Sequence, residues 1–596
     1  MASTVKMTTA QSLTLRYVLD QLQHDGIITA QQIAQLRDVI SPDSREERSH
    51  PLIVVAELGL LSNTRPSYPL TLDQLTRWLA KKTGQEYYRI DPLKIDVAKV
   101  TSVVSQAYAN NLKILPVHVS DTELTVATCE PFISGWEGEL ERIARRSIKR
   151  VIINPKDIER YLVEFYGVSR SILGAVSDSK NKSISSIQNF EQLVDVGKAG
   201  EPDANDRHIV SLVDWVLQFA FEQRASDIHL EPRRDKGRVR FRIDGVLHLV
   251  HEFPIVLMGA ITSRLKSLGR MDVTDKRRPQ DGRIKTRTPS GNEVEMRLST
   301  MPTTFGEKLV LRIFDPDMLI KGYAELGFTK YDMQCWDKMI DNPHGIILVT
   351  GPTGSGKTTT LYSALKQIAR PELNICTIED PIELVDPQFN QMQVQPIIDV
   401  TFANGVRTLL RQDPDIIMVG EIRDRETVEV AIQAALTGHL VLSSLHTNDA
   451  PSTITRLIDI GAQPYLVGAT LLGILAQRLI RTLCPHCKRP GEVDREAWER
   501  LVAPAKTRVP DSVYEPVGCD ECRHTGYMGR IGIYETLFID KAMRKLINTT
   551  NDLQLYYDAA EKQGMRNLRL SGAQKVANGL TTLEEIYSAV PPNKDD

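Results

Sequence analysis

The stretch GIILVTGPTGSGKTTTL, which runs from Gly345 to Leu361, decides the fold of this chain. Its first part, Ile346 to Val349, is a short apolar run without a polar face, as expected of a central parallel strand that is covered on both sides. A glycine-rich loop follows, and a helical sequence follows the loop. Because a phosphate-binding P-loop lies between a strand and a helix, this order predicts an α/β core that binds a nucleoside triphosphate.

The residues of this loop suit phosphate chemistry. Its glycines let the backbone curl so that successive N–H groups converge on phosphate oxygens, which a Cβ would hinder. Lys357 supplies a positive charge towards the β- and γ-phosphates, and Thr358 offers a hydroxyl to Mg²⁺. A chance match or a tight turn is the alternative, but the complete spacing in a strand-loop-helix context disfavours it. The predicted ATP-binding residues are Gly351, Pro352, Thr353, Gly354, Ser355, Gly356, Lys357, Thr358 and Thr359.

Length and composition are those of an ordinary globular protein. The chain has 596 residues, of which 41% are hydrophobic and 25% are charged, and this length predicts about four domains. A net charge of −3 gives no basic field for nucleic acid or anionic lipid. The longest apolar stretch, around residues 466–476, is too short to span a bilayer, and the N-terminus lacks a signal-peptide core. We therefore expect a cytoplasmic chain.

Two predicted strands downstream of the P-loop end in glutamates. Glu379 follows the apolar run from Ile375 to Ile378, and Glu421 follows the run from Ile416 to Val419. Because the carboxyl ends of parallel strands face the nucleotide crevice, both carboxylates are catalytic candidates rather than solvated loop residues. Glu379 is the first candidate to orient or deprotonate water, and Glu421 is the candidate to hold Mg²⁺ through water. The two roles could be exchanged.

A further predicted strand, Leu440 to Leu445, is bracketed by His439 and His446. A lone histidine is more often structural than functional. Beside a P-loop and two strand-end carboxylates, however, both histidines become candidates for the catalytic site.

Four cysteines form two C-x-x-C knuckles. Cys484 and Cys487 make the first, and Cys519 and Cys522 make the second after 31 intervening residues. Four thiolates on two knuckles suit tetrahedral Zn²⁺, whereas disulfides are disfavoured in the cytoplasm and a redox pair needs no second copy. The intervening sequence VDREAWERLVAPAK has a helical pattern, and a zinc element could accommodate this helix as an insertion between the knuckles. We predict a structural zinc element at about residues 480–530.

Composition also suggests where domains begin and end. The segment at residues 176–206 is rich in Ser, Asn, Asp, Lys and Gly, which predicts a linker. In the region before it, helical patterns give way around residues 89–95 to shorter segments that predict a small α/β domain. A second boundary lies near residues 315–322. The predicted divisions are 1–175, 176–206, 207–315 and 323–596.

Several motifs occur together in the order of one known family. GPTGSGKTTTLYSAL, TIEDPIE, RQDPDIIMVGEIRD and TGHLVLSSLHTNDA look like the Walker A, Asp box, Walker B and His box of the secretion ATPase superfamily, which powers type II secretion and type IV pili. Upstream, ASDIHLEP, VRFRIDG and RRPQDGRI resemble the domain that precedes the ATPase core. Downstream, AQRL followed by CPHC resembles the assembly ATPases, the GspE and PilB group. The resemblance covers roughly residues 206–590.

This resemblance implies a RecA-like P-loop core preceded by a PAS-like α+β domain, with ATP at the seam between the two domains in a homohexameric ring. It also implies arginine fingers that stabilise the transition state. The candidates are Arg240, Arg242, Arg277 and Arg283, and which of them acts is open. The alternative is that these arginines lie on a solvated sheet edge and have no catalytic role, because RVRFRI alternates basic and apolar residues as any half-exposed strand does.

The implied function is ATP hydrolysis that powers assembly of a secretion pseudopilus or a type IV pilus. The implied partners are an inner-membrane platform protein similar to GspF or PilC and a cytoplasmic adaptor similar to GspL or PilM, which makes the chain peripheral at the inner membrane. A hexameric nucleic-acid motor is the alternative, but the chain lacks basic runs interleaved with aromatics, so no nucleic acid is expected. A nucleotide-sensing scaffold is weaker still, because the hydrolytic carboxylates are present.

Residues 12–36 and 52–80 look like two copies of a helical hairpin found in the N-terminal domains of this family. Some relatives bind cyclic di-GMP there through an Arg-Leu-Gly entry to each hairpin. Here the corresponding triplets are Tyr17-Val18-Leu19 and His50-Pro51-Leu52. This departure makes cyclic di-GMP binding doubtful and favours docking to a membrane-platform partner, with a domain that merely folds and packs as the alternative.

Overall fold

The structure is a computed structural model. It describes residues 12–37, 49–63, 69–91, 95–181, 205–288, 291–314, 322–505 and 507–591. The chain divides into two compact units, Met1–Ile284 with Arg297–Arg312 and Lys285–Met296 with Ile313–Asp596. Most of the predicted linker and most of the predicted boundary near residue 315 lie outside the described residues. The four domain ranges therefore stay predictions.

Among the described residues, the first unit begins with short helices. They are α1 (Leu15–His24), α2 (Ala30–Arg37), α3 (Pro51–Glu57) and α4 (Leu72–Thr83). Thr14 and Thr71 cap α1 and α4, since each hydroxyl accepts a backbone N–H of the first turn. The apolar faces of α1, α3 and α4 share one core that includes Val18, Leu22, Val55 and Leu79.

A small α/β layer follows. Its strands are β1 (Glu86–Tyr87), β2 (Ile114–Val119), β3 (Glu123–Thr128) and β4 (Ser147–Ile152), in the sheet order β1-β4-β3-β2. Its helices are α5 (Val97–Thr101), α6 (Gln106–Leu112), α7 (Glu137–Ala144) and α8 (Pro155–Asn181). The predicted N-terminal α/β fold is confirmed.

The second sheet begins after helix α9 (Arg207–Glu222). Its strands are β5 (Asp227–Pro232), β6 (Lys236–Ile243), β7 (Val246–Pro254), β8 (Gln280–Arg287), β9 (Glu293–Thr303) and β10 (Gly306–Phe314), in the order β7-β6-β5-β10-β9-β8. Helix α10 (Ile255–Leu268) lies between β7 and β8 in the sequence. Along β6, Val239 and Phe241 are buried whereas Arg240 and Arg242 are half-buried, so basic and apolar side chains alternate between the two faces.

The second unit contains the P-loop core. Its strands are β11 (Gly345–Thr350), β12 (Ile375–Glu379), β13 (Asn390–Gln393), β14 (Ile416–Val419), β15 (Leu440–Leu445), β16 (Leu471–Leu483), β17 (Arg489–Gly491), β18 (Val513–Glu515) and β19 (Tyr527–Phe538). The main sheet has the order β13-β12-β14-β15-β11-β16-β19 and is parallel except for the β16–β19 pair. Strands β17 and β18 form a separate antiparallel ribbon.

Helices cover both faces of this sheet. They are α11 (Tyr323–Leu326), α12 (Lys330–Ile340), α13 (Lys357–Ile368), α14 (Phe402–Leu409), α15 (Arg425–Leu436), α16 (Pro451–Ile460), α17 (Pro464–Thr470), α18 (Arg495–Val502), α19 (Lys541–Thr549), α20 (Leu553–Lys562), α21 (Leu568–Ala577) and α22 (Leu583–Ala589). Along β11, Ile346 and Leu348 belong to one apolar core, and Ile347 and Val349 belong to the other. The predicted α/β P-loop fold is confirmed.

The predicted insertion between the two cysteine knuckles contains a helix, as expected. It is α18, which begins after Asp494, whose carboxylate accepts the N–H of Ala497. In the part of the chain that the structure describes, no helix combines the length and the apolar character needed to cross a membrane.

Candidate functional site

The P-loop connects the end of β11 to the start of α13. Gly351, Gly354 and Gly356 have positive φ angles of 149°, 80° and 89°, which a residue with a Cβ adopts only with strain. Lys357 is the first residue of α13, and its Nζ donates to the backbone carbonyls of Gly351 at 2.8 Å and Pro352 at 3.2 Å. The ammonium therefore lies over the loop that would receive the phosphates.

Two features of the loop fit a bound polyphosphate. The Oγ of Ser355 is buried and has no hydrogen-bond partner among the described residues, so it is free to donate to an anion. Burial lowers the pKa of Lys357 to about 8, while the Glu421 carboxylate raises it and the Arg478 guanidinium lowers it. A phosphate would stabilise the charged form of this lysine.

Glu421 lies at the nucleotide edge of the sheet, just beyond the end of β14. Its carboxylate pairs with Arg423 and lies 3.6 Å from Nε2 of His446, which follows β15. The His446 side chain is 50% exposed, and its pKa is lowered mainly by burial and further by Lys357, while Glu421 raises it. Glu421, His446 and Lys357 are therefore near one another, as the strand-end argument predicts.

Glu379, the last residue of β12, has different surroundings. Its carboxylate is 3% exposed and accepts hydrogen bonds from Tyr362 at 2.7 Å, from Thr377 at 2.7 Å and from Gln391 at 3.3 Å. Burial raises the pKa of Tyr362, and the charge of Glu379 raises it further. Protein donors thus engage both carboxylate oxygens of Glu379.

His439 lies at the amino-terminal ends of the parallel strands, whereas the P-loop lies at their carboxyl-terminal ends. It precedes β15, whose first residue pairs with Gly345 at the start of β11, whereas the P-loop follows the end of β11. At about 3.3 Å per residue, the strand separates His439 from His446 by roughly 20 Å. Its Nδ1 lies 2.8 Å from the carbonyl of Ala434 and 3.1 Å from the hydroxyl of Thr437. The expectation that both histidines face the nucleotide is corrected for His439, because the two ends of one strand lie at opposite sheet edges.

The four candidate arginines belong to the first unit. Arg240 donates to Glu231 at 2.6 Å, and Arg242 donates to the carbonyl of Gly245 at 2.9 Å. Arg277 and Arg283 are exposed. Their role as fingers stays a prediction.

Two residues that hold the site were not predicted from the sequence. Tyr362 on α13 binds Glu379, and Gln477 on β16 binds the P-loop through Ser355. Both lie within motifs that match the family, Tyr362 in GPTGSGKTTTLYSAL and Gln477 in AQRL, but their roles are not evident there, because an aromatic on a helix and an amide within a strand usually belong to ordinary packing. Their partners lie 17 and 122 positions away, and only the fold brings them together.

The four knuckle cysteines form one cluster. All four Sγ atoms lie within 4.8 Å of one another, and three of their separations, Cys484 to Cys519, Cys487 to Cys522 and Cys519 to Cys522, are 3.8 Å. A tetrahedral zinc ion with Zn–S bonds of about 2.3 Å holds its sulfurs about 3.8 Å apart. The donor set and its spacing therefore fit Zn²⁺.

Backbone N–H groups donate to two sulfurs of this cluster. The N–H of Gly518 donates to Cys487 at 3.3 Å, and the N–H of Gly526 donates to Cys522 at 3.2 Å. Burial raises the pKa of Cys522, but the N–H groups of Cys519 and Gly526, together with the thiols of Cys487 and Cys519, lower it to about 7. Burial instead raises the pKa of Cys519 and raises that of Cys484 to about 12, so a metal that requires thiolates would displace protons from these sulfurs.

Comparison with known proteins identifies the family. Residues 203–588 match the family described as type II/IV secretion system protein, and residues 83–172 match the MshEN domain. The chain is 52% identical over 588 residues to the type IV pilus assembly ATPase TfpB of Acinetobacter baylyi, with 98% of this chain and 100% of that protein covered.

Two further relatives are similar over most of their length. The type IV pilus assembly ATPase PilB of Myxococcus xanthus is 42% identical, with 87% of this chain and 92% of that protein covered. The type II secretion system ATPase E of Vibrio cholerae is 41% identical, with 75% and 88% covered. With its P-loop and strand-end carboxylate, the chain is an ATPase that belongs to the type II/IV secretion system protein family.

Proposed function

We propose that this chain powers the assembly of a type IV pilus as one subunit of a homohexameric ATPase ring, peripheral to the inner membrane. The observation that carries the proposal is the identity of 52% to a type IV pilus assembly ATPase across the whole of both chains. That similarity includes the N-terminal hairpins and the small α/β layer. The type II secretion relative is covered to 88% of its own length and matches only 75% of this chain, which supports the pilus over the pseudopilus.

In the proposed reaction, the backbone N–H groups of the P-loop and the Lys357 ammonium bind the phosphates of ATP. The hydroxyl of Thr358 and the carboxylate of Glu421 are the residues that would hold Mg²⁺, which neutralises phosphate charge when bound. The placement of Glu421 beside Lys357 and His446 also makes it the better candidate to orient the attacking water. Glu379 instead fixes α13 through Tyr362, so we assign it a positioning role.

Arginine fingers would stabilise charge on the γ-phosphoryl group. Family resemblance supports this role for Arg240, Arg242, Arg277 and Arg283. The same resemblance supports a platform protein similar to PilC and an adaptor similar to PilM as partners of the ring.

The cysteine cluster would hold a structural Zn²⁺. A closed shell of four thiolates leaves no position for a water molecule. The metal would thus stabilise the end of the β16–β19 ribbon rather than take part in hydrolysis.

A deletion strain tests the cellular role. Loss of surface pili with unchanged protein secretion, restored by the wild-type gene but not by one carrying Lys357→Ala, is the expected result. Lost secretion with retained pili would instead assign the chain to a type II system.

A biochemical assay tests the class of motor. We expect the cytoplasmic domain of a platform protein to stimulate ATP hydrolysis by the full-length protein, and duplex or single-stranded DNA at moderate salt to leave it unchanged. Stimulation by DNA alone would favour a nucleic-acid motor.

A further inference from the structure

We propose that Gln477 is a positioning residue that holds the P-loop in its phosphate-binding shape. Gln477 lies on β16, far from the loop in sequence, and is 2% exposed. The inference deepens the proposed ATPase function and rests on it. Gln477 would keep the P-loop in the conformation that binds phosphate, which the loop sequence alone does not explain.

The Gln477 carboxamide bridges the loop and the helix that follows it. Its Nε2 donates to the backbone carbonyl of Ser355 at 2.7 Å, and its Oε1 accepts from the hydroxyl of Thr360 at 2.8 Å. Both bonds are buried. One side chain thus fixes a carbonyl of the loop relative to the first turns of α13.

The bond to Ser355 has a direct consequence for the anion site. The carbonyl of Ser355 and the N–H of Gly356 belong to one peptide group, which is planar and trans, so the oxygen and the hydrogen point in opposite directions. A bond that fixes the oxygen on the Gln477 side therefore aims the Gly356 N–H away from Gln477. Such converging N–H groups are what a P-loop offers to phosphate.

Two P-loop glycines pack closely against Gln477. A Cβ on Gly351 would lie 2.5 Å from the main-chain carbonyl oxygen of Gln477, and a Cβ on Gly356 would lie 3.2 Å from its Nε2. The loop therefore packs directly on Gln477. Neither a Cβ nor a water molecule would fit between Gly351 and the carbonyl oxygen of Gln477.

The strand that carries Gln477 is itself held from both sides. Ala476, its neighbour, pairs with Thr350 at the end of β11 and with Glu535 on β19. The next residue, Arg478, donates to the carbonyl of Asn448 at 3.1 Å, in the loop after His446. The sheet thus fixes the backbone of Gln477 beside the P-loop.

Nucleotide affinity in the intact, zinc-loaded protein tests the proposal. The variants are Gln477→Met, which removes both bonds, and Gln477→Glu, which keeps the shape but cannot donate to Ser355. ADP with Mg²⁺ is titrated by calorimetry, and KM for ATP and kcat are measured alongside. We expect ADP affinity to fall and KM for ATP to rise by about tenfold in both variants, since a buried carbonyl loses its donor. We expect kcat to change less.

Two further variants separate positioning from general stability. Thr360→Val removes the second Gln477 bond but leaves the bond to Ser355, and it should weaken ADP binding less than Gln477→Glu does. Gln433→Met changes an exposed glutamine of the same unit and should bind ADP as the wild type does. Should Gln477→Met fail to fold, Gln477→Glu carries the test. Folded Gln477 variants that bind ADP as tightly as the wild type would overturn the proposal, whereas a wild-type protein that binds no ADP would overturn the ATPase function itself.

Discussion

Tyr362 donates its hydroxyl to Glu379 at 2.7 Å, which ties the helix after the P-loop to the end of β12. The hydroxyl oxygen also lies 3.0 Å from the carbonyl oxygen of Leu384, in the loop that follows Glu379. Movement of this loop would therefore be transmitted to α13, and with it to Lys357. Ile378 pairs with Val419, so Glu379 is level with Gly420 and Glu421 lies one residue farther along, and only Glu421 has its carboxylate beside Lys357 and His446.

Replacement of each glutamate by glutamine separates their roles. We expect Glu421→Gln to bind ADP normally but to lose at least about 100-fold in kcat, because the carboxylate that faces the phosphates is gone. We expect Glu379→Gln to destabilise the second unit by about 1–3 kcal/mol, because its new amide would face the donors Tyr362, Thr377 and Gln391. Turnover assays and calorimetric unfolding measure both effects.

Tyr362→Phe is the matched control for Glu379→Gln, since it removes one hydrogen bond to the same carboxylate. It should lower stability with a smaller loss of kcat than Glu421→Gln causes. If Glu379→Gln abolished hydrolysis without loss of stability, Glu379 would take the water-activating role that its strand-end position suggests.

The lowered pKa of Lys357 predicts a pH dependence of nucleotide binding. Its ammonium has a pKa of about 8 before phosphate is bound, and phosphate favours the charged form. Above pH 8 the free lysine is increasingly neutral and must regain a proton on binding, so ADP affinity should fall by up to tenfold per pH unit. Calorimetric titration between pH 7 and 9.5 measures this slope.

Lys357→Arg provides the comparison, because arginine stays charged throughout this range. Its ADP affinity, whatever its size at pH 7, should vary little up to pH 9.5. A wild-type affinity that is equally flat would show that Lys357 keeps an ordinary pKa in the folded protein.

Apolar pattern and glycine spacing account for what was predicted correctly. The run from Ile346 to Val349 has no polar face, and β11 is indeed covered by two apolar cores. The two cysteine knuckles meet because β16 and β19 pair next to each other, so Leu483 lies opposite Tyr527. Local patterns of this kind depend mainly on burial and chain direction, which a sequence expresses directly.

What escaped prediction depends on side-chain direction and on long-range contact. Glu379 and Glu421 look alike in the sequence, yet one carboxylate turns into the core and the other towards Lys357. His439 and His446 flank one strand, but a strand places its two ends at opposite edges of the sheet. The contact of Gln477 with the P-loop requires the position of β16 beside β11, which no local pattern reveals.

Glu535 gives a prediction about stability and pH. It is fully buried on β19, accepts the N–H of Ala450 at 2.7 Å, and burial raises its pKa to about 8, with Asp449 raising it and Arg478 lowering it. Between its ordinary pKa and 8 the folded state holds a proton that the unfolded state releases, so stability should fall as pH rises through this range. Calorimetric unfolding of the second unit at pH 5.5 and 8.5 measures the change.

Glu535→Gln should remove this contribution, because the amide is neutral at every pH and its oxygen still accepts from Ala450. The variant should therefore unfold at a higher temperature than the wild type at pH 8.5, with a smaller difference at pH 5.5. Glu561→Gln, at an exposed position, is the control for loss of a negative charge. A destabilised Glu535→Gln variant at pH 8.5 would show that the buried carboxylate is charged and paired.

Metal removal should loosen the ribbon that supports the P-loop. The cysteine cluster lies where β16 and β19 come together, and the N–H of Cys484 donates to the carbonyl of Gly526 at 2.9 Å. Gln477 lies farther along β16. We expect one zinc ion per chain by elemental analysis, and we expect Cys519→Ser to lose the metal and to lower the unfolding temperature of the second unit by several degrees, since coordination energy is folding energy. ADP affinity should also weaken, but less than in Gln477→Met.

Cys335→Ser, at a buried cysteine outside the cluster, should keep the zinc. A protein that holds no metal and unfolds at the same temperature with and without a chelator would contradict the zinc assignment.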